Sequence, residues 1–359
     1  LILCLWASVA SCSDDDDFSS SPADRLTFPV DTLSMDTVFS RVPTSTRTFW
    51  VYNRSGSGLR IANVRLENGN QTGFRTNVDG SYLSPEMGYQ ANGLELRKGD
   101  SLRVFVELTS ALTNKKDPQL VQDNLVFTLE SGVRQSVNLR AMSWDAKVFR
   151  SLVVSNDTTI TAEKPIIVYG GITIKEGAML TIAAGTTLYF HSGAGLDVHG
   201  RLVTKGTASE NVVLRGDRLD RIFDYLSYDE VSGQWNGLRF ASTSSDNVVE
   251  YTDLHGAMDG IVCDSTELDK QTLTLRNSII HNCQGYGLRA VNAAVTAENC
   301  QFTNSLNDCV SLVGGRVDLN NCTLAQFYPF DSERGVALSF TNKYGDKTLP
   351  LTGLNVRNS

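Results

Sequence analysis

The sequence predicts an all-β chain in which a β-sandwich is followed by a solenoid of short strands. Residues 26–147 show alternating strand patterns with polar turns, and residues 148–359 show short strands cut by glycines. In the second stretch asparagines recur at positions 277, 299 and 321, so the spacing is 299 − 277 = 22 and 321 − 299 = 22. A repeat near that length without a helical stripe is typical of one solenoid turn.

Composition narrows the class of protein. The 359 residues are 20% charged and 41% hydrophobic, which favours a folded chain over a disordered one. The net charge is −8 and there is no block of Lys and Arg, so we expect no nucleic-acid partner. The four histidines share no short metal-type spacing, so no cofactor is predicted.

The N-terminus predicts an export signal. Residues 1–10 are apolar and uncharged but too short to span a bilayer, as in the core of a secretory signal truncated at its front. Val9-Ala10-Ser11-Cys12 resembles a bacterial lipobox, and the acidic run Asp14–Asp17 after it resembles the export tag of Bacteroidota surface lipoproteins. The resemblance implies lipidation at Cys12 and a place on the outer face of the outer membrane. A chance cysteine after an ordinary signal is the alternative.

The predicted domains follow in order. Residues 1–11 form the signal, 12–25 a flexible acidic and Ser-rich tether, and 26–147 a sandwich of about seven antiparallel strands. Val51-Tyr52-Asn53, with the glycine turn after it, and Lys98-Gly99-Asp100-Ser101 resemble immunoglobulin-like domains of the Hydin type. That resemblance implies a spacer or interaction module without chemistry.

Residues 148–359 resemble the right-handed parallel β-helix of pectin-lyase-like proteins. The resemblance rests on Gly177–Ile182, Ala184-Gly185-Thr186 and Val198–Leu202, with Trp235-Asn236-Gly237 starting a later turn. Between them, Gly216–Gln234 is an insertion, which solenoids place as a loop on one face. The last repeat ends without a polar cap, so we expect the helix to lack its final turns.

The repeats predict a structural ladder. Asparagines take the left-handed corners and hydrogen-bond to one another, and the small residues after them point inward. Five cysteines lie in this region, and parallel side-chain vectors favour a thiol stack over a disulfide between Cys300 and Cys322. The predicted ladder residues are Asn277, Asn299, Asn321, Asn358, Ser278, Cys300 and Cys322.

Candidate site residues are fewer, and no catalytic residue can be named. His255 and His281 each follow an inward residue, so they are expected to stack on the outer surface as ligand contacts or as a solvated column. Arg239 and Arg289 are expected to point outward, where they could bind an anionic sugar or be solvated surface charges. Trp235 and Tyr286 fit sugar stacking, although Trp235 also belongs to the turn motif. Three nearby acids are weak Ca²⁺ candidates: Asp253, Asp259 and Asp264.

Two functions fit these observations. The favoured one is a non-catalytic surface lipoprotein whose β-helix presents a long face to a polysaccharide or a surface protein. The alternative is a polysaccharide lyase or glycoside hydrolase acting on an acidic glycan, with Ca²⁺ needed only in the lyase case. The repeats contain no Asp-Asp pair and no Gly-His-Gly, which argues against a polygalacturonase-like mechanism.

Overall fold

The computed structural model describes residues 17–161, 163–223 and 225–359. The chain divides between Trp144 and Asp145 into two compact units. Lys147, assigned to the sandwich from the sequence, already pairs with Ile166 of the second unit. Among the described residues, no helix is long and apolar enough to cross a membrane.

The first unit is a two-sheet sandwich whose core lies between the sheets. Its order is β1-β3-β8-β5-β6 in one sheet and β2-β10-β9-β4-β7 in the other. The strands are β1 (Leu26–Thr27), β2 (Thr32–Phe39), β3 (Arg47–Asn53), β4 (Leu59–Leu66), β5 (Phe74–Val78), β6 (Ser81–Tyr82), β7 (Gln90–Leu96), β8 (Ser101–Leu108), β9 (Gln119–Leu129) and β10 (Arg134–Trp144). Short 3-10 helices cover Gly69–Gln71 and Pro85–Met87.

Two predictions for this unit need correction. The sheets contain ten strands, and β2 runs parallel to β10, so the sandwich is not wholly antiparallel. The predicted flexible tether is also shorter, because Phe18 pairs with Gly58 and its ring lies 4.2 Å from the Arg60 guanidinium carbon. A Cβ on Gly58 would lie 2.8 Å from that ring, so the glycine makes the contact possible.

The predicted turn motif of the sandwich has a physical cause. Asn53 is fully buried, and its amide donates to the carbonyls of Ser57, Leu96 and Arg97. One buried side chain thus satisfies three backbone acceptors and fixes the glycine turn after β3.

The second unit is a three-sheet parallel solenoid. Its first strands are β11 (Lys147–Val154), β12 (Thr158–Ile160), β13 (Ile166–Ile174), β14 (Met179–Ala183), β15 (Thr187–Phe190), β16 (Leu196–Val198), β17 (Arg201–Lys205), β18 (Val212–Gly216), β19 (Arg221–Phe223), β20 (Leu226–Ser227), β21 (Leu238–Phe240), β22 (Asn247–Glu250), β23 (Thr252–His255) and β24 (Ile261–Cys263). The later ones are β25 (Leu273–Arg276), β26 (Ile279–Cys283), β27 (Leu288–Val291), β28 (Ala294–Glu298), β29 (Gln301–Ser305), β30 (Val310–Val313), β31 (Gly315–Asn320), β32 (Thr323–Ala325), β33 (Leu338–Thr341), β34 (Lys343–Tyr344), β35 (Lys347–Thr348) and β36 (Leu351–Arg357).

Each turn contributes one strand to each of three sheets. Sheet A has the order β13-β15-β18-β23-β26-β29-β32, and sheet B has the order β13-β16-β21-β24-β27-β30-β33. Sheets A and B join at β13, because its first half pairs with β15 and its second half pairs with β16. On the other edge of β13, β11 pairs with both halves. Sheet C runs β12-β14-β17-β22-β25-β28-β31-β36.

The core of the solenoid is a set of inward columns. In sheet A, Leu254, Ile280 and Phe302 are register partners with no exposed surface. Each such side chain contributes about 1.5–3 kcal/mol by burial. The inward residues predicted on sheet C are also buried, which confirms the predicted period: Leu273, Leu275, Val295, Ala297, Val317 and Leu319.

The asparagine corners have the predicted conformation. Asn277, Asn299, Asn321 and Asn358 have φ between +50° and +53°, and the Asn299 amide donates to the Asn277 side-chain oxygen at 3.3 Å. Ser278, Cys300 and Cys322 are buried behind them. A second column of residues with left-handed backbone lies at the corner between sheets A and B, and it was not predicted from the sequence. It consists of Gly256, Asn282 and Asn304.

A column of glycines on successive turns, here called the glycine ladder, precedes the strands of sheet B and was also not predicted. It consists of Gly171, Gly195 and Gly237. A Cβ on Gly171 would lie 3.0 Å from the Gly195 carbonyl oxygen, and one on Gly195 would lie 2.9 Å from that of Gly237. The successive backbones therefore approach too closely for any side chain. This leaves the outer side of the corner without side-chain cover.

Candidate functional site

The outward face of sheet A gathers two histidines on neighbouring turns. The register pairs His255 with His281 and His281 with Thr303. Their imidazole rings stack with centroids 4.8 Å apart, as the spacing of parallel strands dictates. The predicted stack is present, but His255 is only 5% exposed, so the predicted solvated position is wrong for this residue.

Two carboxylates bind these rings. Asp253 Oδ1 lies 2.8 Å from His255 Nδ1 and 3.1 Å from His281 Nε2. His255 Nε2 lies 2.9 Å from Asp229 Oδ1, and an Arg215 guanidinium nitrogen lies 2.6 Å from the same oxygen. Asp253 and Asp229 thus hold His255 by its two ring nitrogens, one each.

The insertion provides the cover over His255. It contains the hairpin β19–β20 and a 3-10 helix, Tyr228–Glu230, which carries Asp229. The Gln234 amide ties its end down by donating to the carbonyls of Tyr228 and Val231. Asp229 is 26 residues before His255, and only its position in the insertion marked it in the sequence.

The hydrogen bonds shift the ionisation of this group. Burial opposes charge on Asp253, but the bonds from His255 and His281 outweigh it and lower the pKa of Asp253 below its usual range. Burial likewise works against a charged His255, but its bonds to Asp229 and Asp253 raise the pKa of His255. The hydrogen bond from His255 lowers the pKa of Asp229. The cluster therefore holds two ionised carboxylates.

The outward face of sheet B carries a different set of charges. Asp197, Arg239, Val262 and Arg289 are register partners on four successive turns. Arg239 donates to Asp197 at 3.3 Å and also to Asp264 at 2.5 Å, and His199 Nε2 lies 2.9 Å from Asp197. Arg239 is the most exposed of this ion-pair network, with 54% of its side chain accessible, and its partners Asp197 and Asp264 are partly exposed at 41% and 31%.

A shallow groove of about 440 Å³ lies on this face. Gly171, Gly195 and Gly237 line it where the glycine ladder leaves the backbone bare, and Asp197 and Arg239 line it with charge. Other lining residues are Thr173, Asn236 and Asp259. The groove offers amide, carboxylate and guanidinium groups to a ligand from a flat, open floor.

The two aromatic residues predicted to stack on sugars, Trp235 and Tyr286, differ in their accessibility. Trp235 is buried, stacks on Phe190 with centroids 4.3 Å apart, and donates to the His255 carbonyl, so it is not accessible to a sugar. Tyr286 is half-buried beneath the Arg289 guanidinium, whose carbon lies 4.9 Å from its ring centroid. An aromatic pair not predicted from the sequence is exposed at the tip of the insertion, where Phe223 and Tyr225 stack 5.4 Å apart.

The three acids proposed for Ca²⁺ do not share partners. Asp253 binds the two histidines, Asp259 accepts from the Tyr286 backbone N–H at 2.8 Å, and Asp264 binds Arg239. Within the described ranges, the one group of three donors close enough to hold an ion is Asp253, His255 and His281. The sequence named these residues but assigned them to separate roles.

The five cysteines of the repeats are free and buried, as the thiol-stack prediction requires. Burial raises the pKa of Cys283 to about 12 and that of Cys263 further, so these thiols stay protonated at neutral pH. Cys12, the predicted lipidation site, lies outside the described residues.

The comparisons with known proteins identify the fold of the second unit. Residues 151–324 match the family model of the right-handed beta helix region. The second unit is a right-handed parallel β-helix. A comparison with curated proteins found no match.

Several solved structures show a remote similarity to this chain. The catalytic unit of a family 87 α-1,3-glucanase from Streptomyces thermodiastaticus is 13% identical, with 85% of this chain and 64% of that chain covered and a TM-score of 0.30. A family 123 glycoside hydrolase from Clostridium perfringens is 9% identical over 33% of this chain and 25% of that chain, with a TM-score of 0.22. A PapD-like domain of human CEP192 is 10% identical over 36% and 92%, with a TM-score of 0.22. The chain spans less than two thirds of the length of either glycoside hydrolase.

Proposed function

We propose that the β-helix binds a polysaccharide along the outward face of sheet B without cleaving it. The observation that carries this proposal is the open groove over the glycine ladder, with Asp197 and Arg239 on its floor. A chain of sugar rings needs a long, shallow surface, and successive turns of a β-helix supply one. Charged hydrogen-bonding groups on that surface match sugar hydroxyl and carboxylate groups.

The exposed aromatic pair supports the same ligand class. Tyr225 is 80% exposed and Phe223 53% exposed, and their rings lie nearly parallel at 13°. A flat apolar face with a polar edge is the surface on which a sugar ring packs. Stacked aromatic rings exposed at the tip of an insertion are accessible to such a ligand.

The state of the carboxylates favours binding over hydrolysis. A glycosidase needs one carboxyl group with a raised pKa as general acid and a second one nearby. On these faces Asp197 and Asp264 are bound to Arg239, and Asp229 and Asp253 have lowered pKa values. A lyase or hydrolase acting on an acidic glycan is the alternative outcome of the experiment below.

The test uses the mature protein with a panel of acidic and neutral polysaccharides. We expect retention on one glycan, with no new reducing ends and no absorbance from unsaturated products, with or without EDTA. Arg239→Ala and Tyr225→Ala should each weaken retention about tenfold or more. Arg276→Ala, on an exposed arginine of sheet C, is the matched control and should leave retention unchanged. Product formation, or equal losses in all three variants, would contradict the proposal.

We also propose that the chain is anchored to the outer membrane through a lipid on Cys12, with the sandwich as an immunoglobulin-like spacer. The lipobox-like Val9–Cys12 and the acidic run after it support this anchor. In a bacterial host fed an alkyne fatty acid, Cys12→Ala should abolish labelling and release the protein from membranes. Cys4→Ala, within the predicted signal, is the control that should retain both.

A further inference from the structure

Three donor atoms from neighbouring turns converge beneath the insertion. Asp253, His255 and His281 each offer one donor atom, and these three atoms lie within 4.8 Å of one another. Asp253 Oδ1 is 2.8 Å from His255 Nδ1 and 3.1 Å from His281 Nε2. Strand register, not a flexible loop, fixes their positions, because all three side chains are on β23 and β26.

The donor set suits a borderline divalent ion. Two imidazole nitrogens and one carboxylate oxygen are ligands typical of Zn²⁺, which binds them at about 2.0–2.2 Å in a tetrahedron. Ligand atoms at such distances are separated by about 3.3 Å, so the two distances from Asp253 to the histidines need to open by only a few tenths of an ångström. The two histidine nitrogens lie within 4.8 Å of each other. Ca²⁺ prefers oxygen ligands alone, and this set provides one oxygen-bearing side chain.

The surroundings of His255 match an outer coordination shell. Its Nε2 faces Asp229, which the Arg215 guanidinium holds in place. A carboxylate that accepts from the second ring nitrogen fixes the imidazole tautomer with its lone pair on Nδ1, toward Asp253. Metal-binding histidines commonly have such a carboxylate partner.

The net charge of the residues around His255 is also compatible with a bound cation. With neutral imidazoles, Asp229 and Asp253 contribute −2 and Arg215 contributes +1, which leaves −2 + 1 = −1 around a His255 side chain that is 7% exposed. Negative charge in a partly buried position needs compensation. A divalent ion supplies it, and a protonated His255 supplies it when the ion is absent.

We propose that Asp253, His255 and His281 bind one zinc-type divalent ion, with Asp229 as the outer carboxylate. The fourth coordination position is left to water or a ligand oxygen, since 25% of the His281 side chain is accessible. This inference does not depend on glycan binding, because the groove on sheet B is lined by other residues.

The experiment titrates the full chain, freed of metal with a chelator and dialysed, with Zn²⁺ by calorimetry and with Co²⁺ by visible absorption. We expect one ion per chain, with an intense d–d band that reports four-coordinate Co²⁺. His281→Gln and Asp253→Asn should each lower the Zn²⁺ affinity at least about 100-fold. Asp229→Asn should lower it about 10–100-fold and keep the stoichiometry.

His191→Gln is the matched control, because His191 also faces a carboxylate, Asp217 at 2.7 Å, but has no second histidine. It should leave the Zn²⁺ affinity unchanged. Circular dichroism of each metal-free variant separates lost binding from lost folding, and His281→Gln is the variant on the accessible side of the cluster. Absence of one-to-one binding, or equal affinity of wild type and a folded His281→Gln, would overturn the metal site.

Discussion

Sheets A and B are made by the same turns of the chain, yet their outward faces have opposite exposure. On sheet A the His255 side chain is 7% exposed beneath the insertion, whereas on sheet B the Arg239 side chain is 54% exposed. Both bind two carboxylates. What differs is the cover, so the same kind of charged network is a partly desolvated cluster on one face and a solvated surface on the other.

The largest expected effect is at the floor of the open face. Gly237 has φ +86°, and a Cβ there would lie 1.7 Å from the Asp259 carbonyl oxygen. Gly237→Ala should lower the free energy of unfolding by about 3–5 kcal/mol, measured by urea denaturation. Gly177→Ala, at φ +75° with nothing within 4 Å of the added Cβ, should cost only about 1–2 kcal/mol. Equal losses would mean that the ladder is not tightly packed.

The covered face comes next. His255→Ala removes the shared partner of Asp253 and Asp229 and should lower the unfolding free energy by about 2–4 kcal/mol in EDTA. His281→Ala removes one partly exposed ion pair with Asp253 and the ring stack on His255, and it should cost about 1 kcal/mol. If the two variants unfold at the same urea concentration, the cover over sheet A does not strengthen the network.

A smaller effect tests how the cover is held. Tyr328, in the loop between β32 and β33, is buried, and its hydroxyl lies 2.7 Å from Ser232 Oγ of the insertion. Tyr328→Phe should cost about 1 kcal/mol, and a double-mutant cycle with Ser232→Ala should show coupling of about 0.5–1.5 kcal/mol. Tyr344→Phe, at an exposed tyrosine, provides the control. Additive losses would show that the two loops do not support each other.

The smallest effect on stability should be at Arg239. Arg239→Ala breaks two exposed ion pairs and should change the unfolding free energy by less than about 1 kcal/mol, although glycan retention falls. Thermal unfolding of this variant beside His255→Ala gives the direct contrast between the faces. A loss at Arg239 as large as at His255 would remove the distinction drawn between them.

The repeating part of this protein could be predicted from its amino-acid sequence. The period of 22 residues, the asparagine corners and the inward columns follow from local rules, because left-handed backbone favours Asn and alternation places every second residue in the core. The sequence also predicted that His255 and His281 stack, since each directly follows an inward residue at the equivalent place in its turn. Asp253 was within reach of the same reasoning, because it is two residues before His255 on the same outward face.

The cover over each face could not be predicted, because it depends on how distant segments pack in the folded chain. Asp229 reaches His255 from an insertion whose path no periodic pattern describes, and the Ser232–Tyr328 contact joins residues 96 positions apart. The burial of Trp235 and the separate partners of Asp253, Asp259 and Asp264 also depend on such non-repeating contacts. A repeat fixes which residues are neighbours on successive turns, whereas exposure and charge pairing depend on segments outside the repeat that pack against them.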